Sequence, residues 1–319
     1  MLSLVFVLYA LLASTFSVTK AALDYLGPNL LVAIRMLVAG VLLLSYWRLF
    51  GRDKKFPSLS HLSLFLGVAF FHIFLSYVPE HWALQYMVSA KACLFFNLSP
   101  FVTAVFEWYM FGRCITRRQF GALLLGFVSL LPLILPYVPA EHVGTFFGRV
   151  SLPEIVLFIA VLSASYGWIL VKRLVTTHSY SPIIVNGIAM IGGGAMALVA
   201  SCITEGVPHI YGCMGQAVCW PDRPVLALFG PEWGAVAMTV LYVAFLIIVT
   251  NFLFYNLYAY LMRCYSATFL SLCGLMTPLF AALFGFVLRG EQVAYSFFVA
   301  LAGMSLALFL FYRQELCHI

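Results

Sequence analysis

The chain alternates long apolar stretches with short polar linkers. Ten stretches stand out, near residues 2–22, 28–49, 61–84, 88–111, 118–138, 151–174, 180–203, 233–258, 266–288 and 293–312. Each is close to the roughly 20 consecutive apolar residues that carry an α-helix across the hydrocarbon core of a bilayer, so each predicts one spanning helix. Turn and breaker residues mark the linkers: Gly27-Pro28, the Gly51-to-Ser60 segment, Pro139, Ser181-Pro182 and Pro231. One linker is long, Glu205 to Trp233. Its Pro208, Gly212, Gly215, Pro221, Pro224 and Pro231 break it too often for a span.

The polar positions between the stretches orient the chain. Linkers after even-numbered stretches, with the C-terminus, hold eleven basic residues: Arg48, Arg52, Lys54, Lys55, Arg113, Arg117, Arg118, Lys172, Arg173, Arg263 and Arg313. Linkers after odd-numbered stretches hold three, Arg149, Arg223 and Arg289. Basic residues collect on the cytoplasmic side, so both termini are expected there and the 205–232 loop outside.

A weak internal repeat runs through the pattern. The fourth stretch reads Ser89-Ala90, then Ser99-Pro100-Phe101, then Phe111-Gly112-Arg113; the ninth reads Ser266-Ala267, Thr277-Pro278-Leu279 and Arg289-Gly290-Glu291. In both, Gly follows Pro by twelve residues. The first stretch ends at Lys20, and the sixth closes a similar polar-aromatic run at Lys172. The expected fold is therefore all-α: ten transmembrane helices as two five-helix repeats, 1–146 and 147–319. An odd number of spans per copy turns the second upside down, the inverted repeat of many secondary transporters.

In this order and spacing, the Ser-Ala pairs, the mid-helix prolines, the Gly-Glu exit and the Lys20-type ending resemble the EamA domain of the drug/metabolite transporter superfamily. The resemblance covers nearly the whole chain, twice over, and implies alternating-access transport of a small organic metabolite. One departure is Gly112-Arg113, which stands where the family usually has Gly-Glu; Gly290-Glu291 keeps that pattern. Any role of that carboxylate is lost from the first half.

Composition sharpens the membrane reading. Of 319 residues 64% are hydrophobic and 9% charged, with mean hydropathy +1.04, against roughly 25% charged in soluble domains. The net charge of +6 is spread over the linkers, which argues for membrane orientation and against a nucleic-acid partner. The first stretch lacks a basic leader and a small-residue cleavage site, so it reads as a retained span. Eight cysteines form no CxxC pair, which argues against a zinc site; no cofactor or metal is expected. A Cys213–Cys219 disulfide is open if their loop meets an oxidising compartment.

Residues of these types inside spans need a reason. Pro100 and Pro278 each free the carbonyl four residues back, Phe96 and Gly274; Ser99, Thr277 or a solute could satisfy it. Each proline is a packing kink or a hinge in gating. Lys20 and Arg35 match positions often basic in the resembled family, which implies structural or snorkelling roles. Lys91 has no such counterpart there and is a candidate partner for a solute carboxylate or phosphate. Glu107 is a candidate coupling-proton site, with pairing to Arg113 or snorkelling as the plainer alternative. His72 is either a proton relay or a hydrogen-bonded structural residue.

In the eighth stretch Asn251, Tyr255 and Tyr258 recur at i, i+4 and i+7 and share a helix face. Tyr166 and Trp168 in the sixth stretch, and Phe16 at the equivalent place in the first, add aromatic planes. Such planes beside hydroxyls and amides suit a flat, polar or cationic solute, although 17% of the chain is aromatic and core packing explains any one of them. The seam Ala189, Gly193, Ala197 and Ser201 reads as close helix packing.

These features favour secondary transport across a cell inner membrane. There is no P-loop for direct ATP drive and no GxSxG or HExxH motif for an intramembrane enzyme; a channel is the third class. Within the superfamily the chain resembles the S-adenosylmethionine carriers of obligate intracellular bacteria, which implies exchange against S-adenosylhomocysteine. Amino acids and drugs are the alternative solutes.

Overall fold

The structure, a computed structural model, describes residues 2–23, 25–51, 56–84, 86, 95–134, 151–205, 231–280, 283 and 295–315. Every regular element among the described residues is helical. Helix α1 is Leu2–Leu23 and α2 is Pro28–Phe50. Helix α3 is composite: Leu62–Gly67, a π-helical segment Val68–Phe74, then Leu75–Leu84. Helices α4 and α5 are Ser99–Phe111 and Arg117–Ile134. Helix α6 is Leu152–Lys172, prolonged by a π turn, Arg173–Thr177; α7 is Pro182–Thr204. Helix α8 joins Pro231–Leu246, the π segment Ile247–Phe254 and Tyr255–Leu261; α9 is Ala267–Gly274 and α10 is Tyr295–Glu315.

Five helical runs are long and apolar enough to cross a membrane: Pro28–Phe50, Leu59–Ala83, Leu152–Thr177, Pro182–Thr204 and Val236–Leu261. Polarity is arranged inside out. Val41, Leu49, Tyr109, Ile203 and Phe309 are each more than half exposed, while Arg35, His72, Glu107, Asn186 and Asn251 are buried. In water such a surface would invite aggregation; in a bilayer it meets acyl chains, and the polar groups are kept inside the bundle. The chain is an all-helical, multi-pass membrane protein.

Local sequence explains where helices start and stop. Pro28 and Pro182 sit in the first turns of α2 and α7, where a missing N–H costs nothing. Gly112 closes α4 with φ +65° and donates its N–H to the Trp108 carbonyl at 2.9 Å, a left-handed cap that favours glycine. Small residues bring α7 close to two neighbours. A Cβ on Gly187 would lie 2.7 Å from Leu44, and one on Gly193 would lie 2.3 Å from the Ile73 Cβ. Ala189, Ala197 and Ser201 of the same seam are buried.

The prolines sit differently from a mid-helix kink. Residues 97–98 and 275–276 form turns, so each proline directly follows a break in its helix. Pro100 lies in the first turn of α4. Gly274 O accepts the Thr277 hydroxyl at 2.7 Å. In the first half, Ser99 instead meets the Ser271 hydroxyl at 3.1 Å, tying the two broken helices together.

Candidate functional site

Helices α2, α3, α6 and α8 converge on a buried aromatic group. The Trp168 indole stacks on Tyr258, centroids 3.9 Å apart and planes at 27°, and lies 5.4 Å from Tyr255. The His72 ring, from the π segment of α3, is 4.1 Å from Trp168. From α1, Tyr9 meets Tyr258 edge-on at 6.5 Å and donates its hydroxyl to the Leu270 carbonyl. The Tyr255 and Tyr77 hydroxyls hydrogen-bond each other at 2.5 Å. Above Tyr77 stands Arg35, its guanidinium carbon 4.8 Å from the ring centroid.

These contacts sort the residues expected from the sequence. Tyr255, Tyr258 and Trp168 come together. Tyr166 does not join them: two positions from Trp168, it points to the other side of α6 and packs against Phe71 and Phe106 at 5.0 and 5.3 Å. Asn251 is fully buried and donates to the Met36 sulfur at 2.9 Å, while its Oδ1 has no partner. It lies within the π segment of α8 and faces Met36 of α2 and Met190 of α7. Lys91, the side chains of Phe16 and Lys20, the Cys213–Cys219 pair and Gly290-Glu291 lie outside the described residues.

Glu107 has a different partner from the Arg113 expected by proximity. Its Oε1 accepts from Lys172 Nζ at 2.5 Å and from the Ala267 N–H at 2.9 Å. Its Oε2 accepts the Thr268 N–H at 3.0 Å and the Thr268 hydroxyl at 2.7 Å. A carboxylate of α4 therefore caps the start of α9, where orphan N–H groups and the helix dipole favour negative charge. Glu205 does the same for α2, accepting from Asn29 N at 2.7 Å and Leu30 N at 3.1 Å.

Sequence reasoning missed Tyr77 and Lys172's pairing with Glu107. A signal for Tyr77 was present: it precedes Tyr255 by 178 residues, the separation of Pro100 and Pro278. A separate cavity of about 420 Å³, lined by Val175, Thr176, Ser179 and Arg263, shares no residue with the aromatic group. Among the described residues no group of three His, Cys, Asp or Glu could hold a metal ion.

The EamA-like transporter family matches residues 1–135 and 151–313. A protein of Chlamydia muridarum named S-adenosylmethionine/S-adenosylhomocysteine transporter is 32% identical over 307 residues, covering 95% of this chain and 88% of that protein. Its namesake in Chlamydia trachomatis serovar L2 is 31% identical over 306 residues, covering 95% and 86%. A solved crystal structure at 14% identity superposes over 98% of this chain and 96% of its own, with TM-score 0.68; at that identity the likeness carries the fold alone.

Proposed function

The chain belongs to the EamA-like transporter family, and from that premise we propose that it carries S-adenosylmethionine across a bacterial inner membrane in exchange for S-adenosylhomocysteine. The observation that carries the reading is the stack of Trp168 on Tyr258 beside Tyr255. Such aromatic faces suit both parts of the substrate: adenine by stacking, sulfonium by cation–π attraction. Relatives matched over 95% of the chain bear that substrate pair in their names. Phe16, Asn251 and Lys91 are assigned to the solute path as well, with Tyr166 as packing behind it.

The transport cycle is alternating access between two inverted repeats of five helices, 1–146 and 147–319, with both termini cytoplasmic. Support comes from the matched breaks before Pro100 and Pro278, which act as the hinges, and from Tyr77 meeting its counterpart Tyr255 across the two halves. Glu107, engaged by Lys172 and Thr268, serves as an anchor between helices in preference to a proton carrier. Exchange of one adenosyl compound for the other needs no ion coupling.

The test is uptake of labelled S-adenosylmethionine into lipid vesicles holding the purified protein. Saturable uptake, accelerated when the vesicles are preloaded with S-adenosylhomocysteine, is the expected result. Correctly inserted protein that moves neither compound overturns the substrate assignment.

A further inference from the structure

Arg35 sits well inside α2, yet its guanidinium does not snorkel to an interface: the residue is 4% exposed. A cation at that depth is normally retained only against a specific partner. Here the Nε has none, and the guanidinium lies over the face of Tyr77 at 4.8 Å. Glu107 is paired with Lys172 and not with Arg35. Arg35 is a charge held in place and incompletely satisfied.

A carboxylate lies nearby without closing on it. Glu80 follows Tyr77 by three residues in α3 and so shares its helix face. It lies within electrostatic range of Arg35, whose guanidinium stands over the Tyr77 ring, and the Tyr77 hydroxyl is hydrogen-bonded to that of Tyr255. A guanidinium and a carboxyl group held near one another without an ion pair suit a solute that carries both signs. Arg presents a planar fork of donors matched to a carboxylate, and a carboxylate is the natural acceptor for an ammonium group. Next to this pair, Tyr255 leads directly to the Trp168–Tyr258 stack.

We propose that Arg35 and Glu80 form the subsite for the α-amino-acid end of the solute, the guanidinium taking its carboxylate and Glu80 its ammonium, while the aromatic stack takes the ring. The subsite deepens the preceding assignment of an adenosyl amino acid and rests on it. It moves the carboxylate contact from Lys91 to Arg35.

The test compares competitors of labelled S-adenosylmethionine uptake in vesicles: the unlabelled compound, its decarboxylated form, and 5′-methylthioadenosine, which lacks the carboxylate, the ammonium and the sulfonium charge. Wild type should prefer the intact compound over the decarboxylated form by about tenfold or more, as a site built to bind a charged group rejects the analogue lacking it. Arg35→Gln should erase that preference by weakening the intact compound alone. Glu80→Gln should weaken both ammonium-bearing compounds and leave methylthioadenosine unchanged. If Arg35→Gln weakens all three alike, or keeps the preference while Lys91→Ala loses it, the proposal is overturned. Should Arg35→Gln fail to reach the membrane, Arg35→Lys keeps the charge without the fork: a reduced preference supports the subsite and an unchanged one overturns it. If wild type binds no adenosyl compound, the substrate assignment fails separately. The subsite is then judged on free amino acids against their decarboxylated amines, and equal binding of the two overturns it.

Discussion

Glu107 is 2% exposed and gathers four donors from two other helices. Removing its charge leaves the half-buried Lys172 without its carboxylate, so Glu107→Gln should destabilise the protein by about 1–3 kcal/mol. Combining it with Lys172→Met, which removes the stranded cation, should recover part of that loss. Thermal unfolding in detergent reads both, and a double variant no more stable than the single one would count against the pair. The sequence exposed Glu107 as a carboxylate needing a reason. It could not reveal a partner 65 residues away, because that contact exists only once α4 and α6 pack. Trp168 and Tyr166 show the same limit: both are aromatic and two positions apart, but only tertiary packing tells which one meets Tyr258. If the stack holds an adenine ring, Trp168→Ala should cost about 1–3 kcal/mol in solute affinity, while Tyr166→Leu should change it far less. Equilibrium binding of S-adenosylmethionine to the two purified variants separates these outcomes.

At the scale of elements, hydrophobic length located several helices closely. Stretches 28–49 and 180–203 became Pro28–Phe50 and Pro182–Thr204. What length could not show is where a helix changes its winding. The π segments Val68–Phe74 and Ile247–Phe254 carry no composition signal, and each widens a turn, as π-bulges at functional sites often do. One carries His72, which lies against Trp168; the other carries Asn251, which meets Met36. The prolines were visible, but the break preceding each was not, since it depends on how the chain satisfies its carbonyls locally. Close packing of α7 on the first π segment has a direct consequence. A Cβ at Gly193 would fall 2.3 Å from the Ile73 Cβ and 2.7 Å from the Ala69 carbonyl. Backbone lies on one side of that clash, so Gly193→Ala should cost about 1–3 kcal/mol by overpacking. Trimming the other side with Ile73→Ala should relieve only part of it. Unfolding midpoints of the single and double variants check the sign.

For the whole molecule, the inside-out polarity fixes that the bundle lives in lipid, and the distribution of basic residues predicts which way up. Span number and orientation meet at α5. This helix, Arg117–Ile134, is not among the five runs that qualify as spans by length and composition, yet inverted five-helix repeats require it to cross. Cys114 is exposed just before it, and Leu152, 63% exposed, follows it at the start of α6. If α5 spans, these two positions lie on opposite sides. Eleven basic residues against three predict that Cys114 lies on the cytoplasmic side. A membrane-impermeant maleimide added to intact cells should therefore label Leu152→Cys in a background otherwise free of cysteine. A variant keeping Cys114 alone should label only after permeabilisation. The opposite pattern would preserve the span and reverse the orientation. Labelling of both positions from the same side would mean that α5 does not cross, and two inverted copies of five helices could not then be built from this chain.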